Sequence, residues 1–245
     1  MIRLIDLTKM YRGFVAVDGI NLDVPRGRLF GFLGPNGAGK TTTIRMMAGI
    51  LKPTRGRIEL DGIDLAERPS EAKGRVGFIP DRPFIYEKLT GMEFLRFMGG
   101  LYRVDHGVSP DDRALELLEL FELTDWRNEL IESYSHGMKQ RLVMCSALLP
   151  APRILVVDEP MVGLDPKGAR LVKDIFRDQA ASGTTVFMST HSLEVAQEVC
   201  EEIAIIQSGR IIARGTPEQL GEQAGVDGTL ESVFLKITQE RMSIP

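Results

Sequence analysis

One segment of this 245-residue chain combines the glycines, lysine and hydroxyl groups that bind nucleotide phosphates. Residues Gly34–Thr41 read G-P-N-G-A-G-K-T and fit the pattern G-x-x-x-x-G-K-[ST]. Glycines let the backbone approach a phosphate closely with its N–H groups directed at it. Lys40 supplies a positive charge for the β- and γ-phosphates, and the Thr41 hydroxyl is suited to Mg²⁺. The segment therefore predicts a site for a nucleoside triphosphate.

Two acids at the end of an apolar run form a second candidate group. Ile154–Val157 is typical of a buried parallel strand, and Asp158 and Glu159 follow it. Ligands in parallel sheets bind at the carboxyl ends of strands, so Asp158 is suited to hold Mg²⁺ and Glu159 to polarise a water. His191 follows the run Thr184–Thr190, which would bring it beside Glu159. The alternatives are a solvated acidic turn and a structural histidine. The phosphate loop favours the functional interpretation.

The surrounding pattern predicts elements that position these groups. Arg28–Leu33 indicates a strand that runs directly into the loop, and a helical pattern follows the loop. Residues 85–150 are predicted to be helical, and the last third alternates strands with helices. Gly221–Gly228 is predicted to be a linker before a final amphipathic helix. We therefore expect an α/β unit over residues 1–220 with a helical subdomain inserted at about 85–150, then a linker and helix over 221–245.

Composition limits the class of protein. Hydrophobic residues make up 43% of the chain and the formal net charge is −4, which argues against a dedicated nucleic-acid binder. No apolar run approaches the roughly 18 residues that would indicate a membrane span. Two cysteines are too few for a disulfide framework. The sequence therefore predicts a soluble, cytoplasmic chain that needs a partner for any role at a membrane.

Together these motifs resemble the ATP-binding cassette (ABC) ATPase over nearly the whole chain and in the same order. Gly34–Thr42 resembles its Walker A, Ile154–Glu159 its Walker B with the catalytic glutamate, Gly163–Asp165 its D-loop, and His191 its switch histidine. The resemblance implies a P-loop NTPase core with a parallel sheet, an N-terminal antiparallel β subdomain and an inserted helical subdomain. It implies ATP and Mg²⁺ as cofactors. The implied phosphate-binding residues are Asn36, Gly37, Ala38, Gly39, Lys40, Thr41 and Thr42.

The same resemblance assigns three more positions in the chain's own nucleotide site. Tyr11 stands where the family places an aromatic that stacks on adenine, and Val17 would pack nearby. Asp81 stands where the family generally has glutamine. Its oxygen would still bind Mg²⁺, so the implied metal ligands are Thr41, Asp158 and Asp81. Asp81 lacks the amide donor that glutamine has.

Residues Tyr134–Arg141 resemble the family's signature segment. Ser135 and Gly137 match the usual L-S-G-G-Q, whereas Tyr134, His136 and Met138 depart from it. In this family the signature contacts ATP bound to the other subunit. The resemblance therefore implies a head-to-tail homodimer or heterodimer of cassettes that encloses two ATP molecules. The residues expected to reach the partner's ATP are Ser135, His136, Gly137, Met138 and Asp165.

Two further stretches, Asp81–Phe97 and Leu230–Thr238, are similar to cassettes of ABC-2-type exporters. This implies an exporter whose transmembrane permease is a separate chain, with the cassette peripheral on the inner face of the cell membrane. Residues 84–86 either contact that permease or close the helical core. The alternative function is a soluble ABC ATPase that acts on ribosomes or nucleic acid. A single cassette with no room for a coiled coil between Lys40 and Ser135 argues against it.

Overall fold

Two β-sheets organise the residues described by the computed structural model, which are 1–102, 109–226 and 228–242. In chain order the strands are β1 (Ile2–Tyr11), β2 (Phe14–Val24), β3 (Leu29–Leu33), β4 (Arg55–Leu60), β5 (Ile63–Asp64), β6 (Val76–Ile79), β7 (Ile154–Asp158), β8 (Thr185–Thr190), β9 (Glu202–Gln207) and β10 (Arg210–Gly215). The helices are α1 (Lys40–Met47), α2 (Pro69–Lys73), α3 (Gly91–Tyr102), α4 (Pro110–Leu120), α5 (His136–Leu148), α6 (Pro166–Ala181), α7 (Leu193–Val199), α8 (Pro217–Ala224) and α9 (Leu230–Met242).

The first sheet is antiparallel and has the strand order β2-β1-β4-β5. Its tight connection between β4 and β5 is the turn Asp61–Gly62, a residue pair typical of hairpins, whose φ angles are 52° and 82°. Two consecutive positive φ angles are those of a type I′ turn, which matches the twist of paired strands. The antiparallel β subdomain of the fold prediction is confirmed.

The second sheet has, over the described ranges, the order β10-β9-β3-β8-β7-β6. Its strands pair in parallel except that β10 runs antiparallel to β9. Every residue of β3 and β7 is buried, as expected when both faces of a parallel sheet are covered. The Phe187 ring lies 5.6 Å from the Phe30 ring and 5.3 Å from the Phe32 ring, measured between centroids. Because β3, β8 and β7 are adjacent, their carboxyl ends lie at one edge of this sheet.

Helices α3, α4 and α5 lie in the chain between β6 and β7, where helices were predicted. A capping box begins α3, since Thr90 N donates to Glu93 Oε2 at 2.8 Å and Glu93 N donates to Thr90 Oγ1 at 3.2 Å. Pro110 occupies the first turn of α4, where its missing N–H leaves no helical hydrogen bond unmade. Part of the predicted insertion, residues 103–108, lies outside the described residues.

The predicted linker is wrong over its first residues. Helix α8 continues to Ala224 and begins with a capping box between Thr216 and Gln219. Leu220 and Ala224 are buried in the same cluster as the core of the second sheet, so packing outweighs the glycine that suggested a linker. The predicted boundary at residue 220 therefore falls inside a helix. Residues 227 and 243–245 of that range lie outside the described residues.

The final helix, α9, is bonded to α7 and to the end of β9. Leu230 N at its start donates to Gln197 Oε1 at 2.9 Å, and Gln207 Nε2 donates to the Thr238 carbonyl at 3.3 Å. Leu230 and Val233 are buried, as the amphipathic pattern predicted.

Within the described ranges, no helix combines the length and the apolar character that crossing a bilayer requires.

Candidate nucleotide-binding site

A cleft of about 890 Å³ opens at the carboxyl edge of the second sheet. It is lined by the predicted phosphate loop, by the hairpin of β1 and β2, and by the segments that follow β6, β7 and β8. A cleft of this size suits a cofactor or nucleotide. Of the predicted site residues, the cleft brings together Tyr11, Asn36, Gly37, Gly39, Lys40, Thr41, Thr42, Asp81, His136, Glu159 and His191.

The phosphate loop is held in shape by its lysine and by a left-handed residue. Lys40 Nζ donates to the carbonyl oxygens of Gly34 at 2.6 Å and Pro35 at 3.2 Å. Burial lowers the pKa of Lys40, and the charges of Glu159 and Asp158 oppose this shift. Gly39 has φ 110°, and a Cβ there would lie 2.5 Å from the Ala16 carbonyl oxygen, so this position requires glycine. Helix α1 then begins at Lys40 with its N-terminus at the loop, where an anion is favoured.

Asp158 at the end of β7 is 2% exposed and is held by two hydroxyl groups. Ser189 Oγ donates to Asp158 Oδ1 at 2.5 Å, and Thr41 also bonds to this carboxyl. Burial raises the pKa of Asp158. The hydrogen bonds from Ser189 and Thr41 oppose the rise, and the negative charges of Asp81 and Glu159 add to it.

The predicted metal ligands are a set of hard oxygen donors, namely two carboxylates and a hydroxyl. Mg²⁺ prefers such donors and usually keeps only one or two protein carboxylates, with substrate phosphates and waters completing its shell. No cluster of three or more His, Cys, Asp or Glu that could hold a metal by itself occurs in the part of the chain that the structure describes. Thr41, Asp158 and Asp81 therefore fit Mg²⁺ bound together with a phosphate.

The two strand-end residues Glu159 and His191 are in direct contact. His191 Nδ1 lies 2.8 Å from Glu159 Oε2, and the His191 backbone N–H donates to the same oxygen at 3.3 Å. Glu159 has φ 50°, a left-handed conformation that costs roughly 1–3 kcal/mol for a residue with a side chain. Glu159 N also donates to the Ser189 carbonyl at 3.1 Å, which holds this backbone in place. The contact between Glu159 and His191 that the strand ends predicted is thus present.

The opposite end of the cleft carries aromatic side chains. Tyr11 is 44% exposed at the end of β1, and Phe14 faces it across the turn, 63% exposed. Val17, predicted to pack beside a base, is fully buried and does not line the cleft, whereas Ala16 does. Sequence reasoning missed Phe14 and Ala16. The signal for Phe14 was the Arg12–Gly13 turn, which pairs it with Tyr11.

The signature-like segment is divided between cleft and core. Ser135 caps α5 by accepting from Met138 N at 3.3 Å, while the Met138 side chain packs on the core. His136 lines the cleft, whereas Ser135, Gly137 and Met138 do not. Asp165 caps α6 by accepting from Gly168 N at 3.0 Å and also lies outside the cleft lining, as does Ala38.

Several further cleft residues were not among the individual site residues that the sequence predicted. They are Pro35, Arg82, Pro83, Glu87, Lys139 and Val162. Lys139 Nζ on the signature helix lies 2.5 Å from Glu87 Oε1 on the loop after β6. A spacing of fifty-odd residues gives no local pattern that would pair them.

The motifs agree with a match of residues 17–162 to the model of the ABC transporter family. The chain belongs to the ABC transporter family. It is 41% identical over 219 residues to the daunorubicin/doxorubicin resistance ATP-binding protein DrrA of Streptomyces peucetius, covering 89% of this chain and 66% of that protein. It is 35% identical to the linearmycin resistance ATP-binding protein LnrL of Bacillus subtilis, covering 94% and 74%. The chain thus spans about two thirds to three quarters of the length of these relatives.

Solved structures confirm the predicted fold class for this cassette. A structure described as the ATP-binding subunit of an ABC transporter superimposes with a TM-score of 0.91 at 31% identity, covering 97% of this chain and 99% of that one. A dimeric cassette in a post-hydrolysis state, bound to ADP and Pi, superimposes with a TM-score of 0.79 at 26% identity, covering 88% and 98%. The α/β P-loop NTPase architecture predicted from the sequence is therefore correct.

Proposed function

We propose that this cassette binds and hydrolyses ATP to drive the export of a substrate by a separate membrane subunit. The observation that carries the proposal is the junction of three groups at one sheet edge. These groups are the phosphate loop with Lys40, the buried carboxyl of Asp158, and the contact between Glu159 and His191.

The geometry supports a different chemical role for each of these residues. The loop and Lys40 hold the β- and γ-phosphates, and the aromatic end of the cleft with Tyr11 holds the base. Thr41 and Asp158, together with Asp81, would hold Mg²⁺, which when bound would supply positive charge beside the phosphates. Glu159 orients the attacking water and accepts its proton, and His191 fixes the Glu159 carboxylate through Oε2.

A second cassette completes the site in this proposal. Ser135, Gly137, Met138 and Asp165 lie outside the cleft of their own chain, which suits a role on nucleotide bound to a partner cassette. His136 lines the cleft of its own chain instead, so its position does not support the same role. The cassette with ADP and Pi that superimposes on this chain is dimeric, which supports the same arrangement. The partner is either a second copy or a related chain.

An exposed apolar patch supports docking on a membrane subunit. We define the patch as Phe84, Tyr86 and Phe97, which are 84%, 59% and 44% exposed. The rings of Tyr86 and Phe97 meet edge to face at 5.3 Å, so these two side chains form one apolar surface. Ile85, in contrast, is partly buried against the core, so residues 84–86 divide between the two predicted roles. Docking here would place the cassette on the inner face of the cell membrane.

Export is favoured over other transport by the relatives' names. DrrA and LnrL are named for drug resistance, and a further relative, 36% identical over 228 residues, is the Nod factor export ATP-binding protein I of Cupriavidus pinatubonensis, covering 93% of this chain and 70% of that protein. We therefore propose a small-molecule exporter rather than an ATPase that acts on ribosomes or nucleic acid.

Glu159→Gln tests the hydrolytic part of the proposal. The variant should bind ATP with wild-type affinity, lose nearly all turnover and accumulate as an ATP-bound dimer, because it keeps the side-chain size but cannot accept a proton. Glu194→Gln on α7 is the control, since Glu194 is exposed and its carboxyl makes no bond in the described part of the chain. Hydrolysis by Glu159→Gln at the wild-type rate would show that another group accepts the proton.

Phe84→Asp tests the membrane partner. With the chain tagged in its native host, we expect a transmembrane polypeptide to co-purify with wild type and to be lost with Phe84→Asp. The ATPase rate of the isolated chain should be unchanged. Ile50→Asp is the control, because Ile50 is 64% exposed but lies outside the patch. Recovery of the wild-type chain with ribosomes or nucleic acid would overturn the transport proposal and leave the ATPase assignment standing.

A further inference from the structure

The turn between β9 and β10 contacts two parts of the nucleotide site, although neither residue of the turn lines the cleft. The turn is Ser208–Gly209, with φ angles of 49° and 79°. Gly209 N donates to the carbonyl oxygen of Ala38 in the phosphate loop at 2.9 Å. The Gly209 carbonyl accepts from Asp18 N on β2, also at 2.9 Å. The turn therefore ties the phosphate loop to the strand that carries the aromatic end of the cleft.

The bond to Ala38 sets the direction of the next amide. In a trans peptide the C=O and the following N–H point in opposite directions across one rigid plane. The Ala38 carbonyl points at the turn, so the Gly39 N–H points to the other side, where Gly39 lines the cleft. No acceptor among the described residues is bonded to that N–H. It is therefore available to a phosphate oxygen.

The turn is itself held tightly in place. A Cβ on Gly209 would lie 3.0 Å from the Ala16 carbonyl oxygen and 3.2 Å from Val17 Cα, both backbone atoms with little freedom to move. Arg210 adds an ion pair with Asp18, at 2.6 Å between a guanidinium nitrogen and Oδ2. Because this ion pair is exposed, it stabilises the turn only slightly. The backbone contacts therefore hold the turn in place.

We infer that the turn Ser208–Gly209 is a positioning element for ATP binding. Its hydrogen bond to the Ala38 carbonyl, made from the side opposite the cleft, orients the Gly39 amide toward the phosphates. This inference rests on the proposed function, since it assumes that the phosphate loop binds ATP. Gly209 touches neither nucleotide nor water. It acts through Ala38 and Gly39, and its effect falls on nucleotide affinity rather than on the chemical step.

Gly209→Ala should break the hydrogen bond from the turn to the Ala38 carbonyl. The new Cβ pushes the turn from Ala16 and strains a left-handed backbone, which displaces the amide from Ala38. The control is Gly62→Ala, because Gly62 is the second residue of a similar hairpin turn with φ 82° but has no atom within 4 Å of its Cβ position. The two variants share the backbone strain and differ in the contact with the site.

We expect Gly209→Ala to raise the Kd and KM for ATP about tenfold, the loss of roughly one hydrogen bond to a charged group, with kcat at saturation within about twofold of wild type. Gly62→Ala should leave all three unchanged. ATP affinity of Gly209→Ala equal to that of Gly62→Ala would overturn the inference alone. Absence of ATP binding by the wild-type chain would overturn the proposed function and the inference with it.

Hydrogen exchange on the wild-type chain tests the same contact without any variant. The Gly209 amide should exchange at least about tenfold more slowly than the Gly62 amide. Bound ATP should slow exchange of the Gly209 amide further, because ATP stabilises the phosphate loop that accepts its hydrogen bond. Exchange of Gly209 as fast as that of Gly62, with or without ATP, would overturn the inference.

Discussion

The contact between His136 and Gly163 allows a quantitative test of the site's construction. Gly163 in the D-loop-like segment has φ 79°, and a Cβ there would lie 2.2 Å from His136 Cδ2 and 2.7 Å from Nε2. His136 stands where the signature of the family has glycine. The imidazole therefore occupies the space that a side chain at residue 163 would need.

Gly163→Ala should destabilise the chain through two separable effects. A left-handed alanine costs about 1–2 kcal/mol, and moving the His136 ring off its rotamer costs about 0.5–1.5 kcal/mol more. The sum is roughly 1.5–3.5 kcal/mol. In a His136→Ala background only the first effect remains, so the same substitution should cost about 1 kcal/mol less.

A double-mutant cycle by chemical denaturation measures this coupling between the two positions. Wild type, both single variants and the double variant are unfolded in urea to give the four free energies of unfolding. Heat denaturation of the same proteins is a second readout, in which each kcal/mol should shift the thermal midpoint by roughly 2–4 °C. A coupling energy below about 0.3–0.5 kcal/mol, the usual error of additivity, would refute the proposed contact. A cost below about 0.5 kcal/mol for Gly163→Ala in both backgrounds would also refute the left-handed backbone.

Three further outcomes follow from buried groups. Phe187→Ala, which empties the space between the Phe30 and Phe32 rings, should lower the free energy of unfolding by about 3–5 kcal/mol, and a loss below about 1 kcal/mol in urea would contradict this packing. Burial raises the pKa of the Cys145 and Cys200 thiols, so Ellman's reagent at pH 8 should label both in denatured protein and neither in the native chain. Burial raises the pKa of Tyr134 to about 12, so the folded state favours the neutral phenol. This contribution to the free energy of unfolding is complete below pH 10, the usual pKa of tyrosine, and is lost as the pH rises toward 12. Tyr134→Phe should therefore be less stable near pH 7, since it loses the 2.6 Å bond to the Trp126 carbonyl, but should lose less stability than wild type between pH 10 and 12 in urea titrations.

Features that depend on a few adjacent residues could be predicted from the sequence. The capping box from Thr90 to Glu93, the cap at Asp165 and the turns Asp61–Gly62 and Ser208–Gly209 each follow from local backbone chemistry. The phosphate loop belongs to this class as well. Even the contact between Glu159 and His191 followed from local patterns, because parallel strands bring their carboxyl ends to one edge.

Features that depend on packing between distant segments could not be predicted. Ala16 and Val17 are both buried in β2, which breaks the alternation expected of a strand, and shifts of register between β1 and β2 accompany this. No local pattern in the sequence therefore indicated that Ala16, and not Val17, would line the cleft. The linker error at Gly221 has the same origin, because burial of Leu220 and Ala224 against other helices decides the structure there.

The position of Lys40 also links the durability of this chain to its activity. The ammonium group is largely withdrawn from water and is held by two carbonyl oxygens of its own loop, and this burial opposes its charge. The unfavourable desolvation is therefore met when the chain folds, which leaves more of the attraction to phosphate available for binding. Lys40→Met would remove both this desolvation and the two hydrogen bonds that hold the loop, so its effect on stability is the difference of two opposing contributions, whereas its effect on ATP binding is a loss alone. The fold thus prepares this ammonium group for phosphate before any nucleotide arrives.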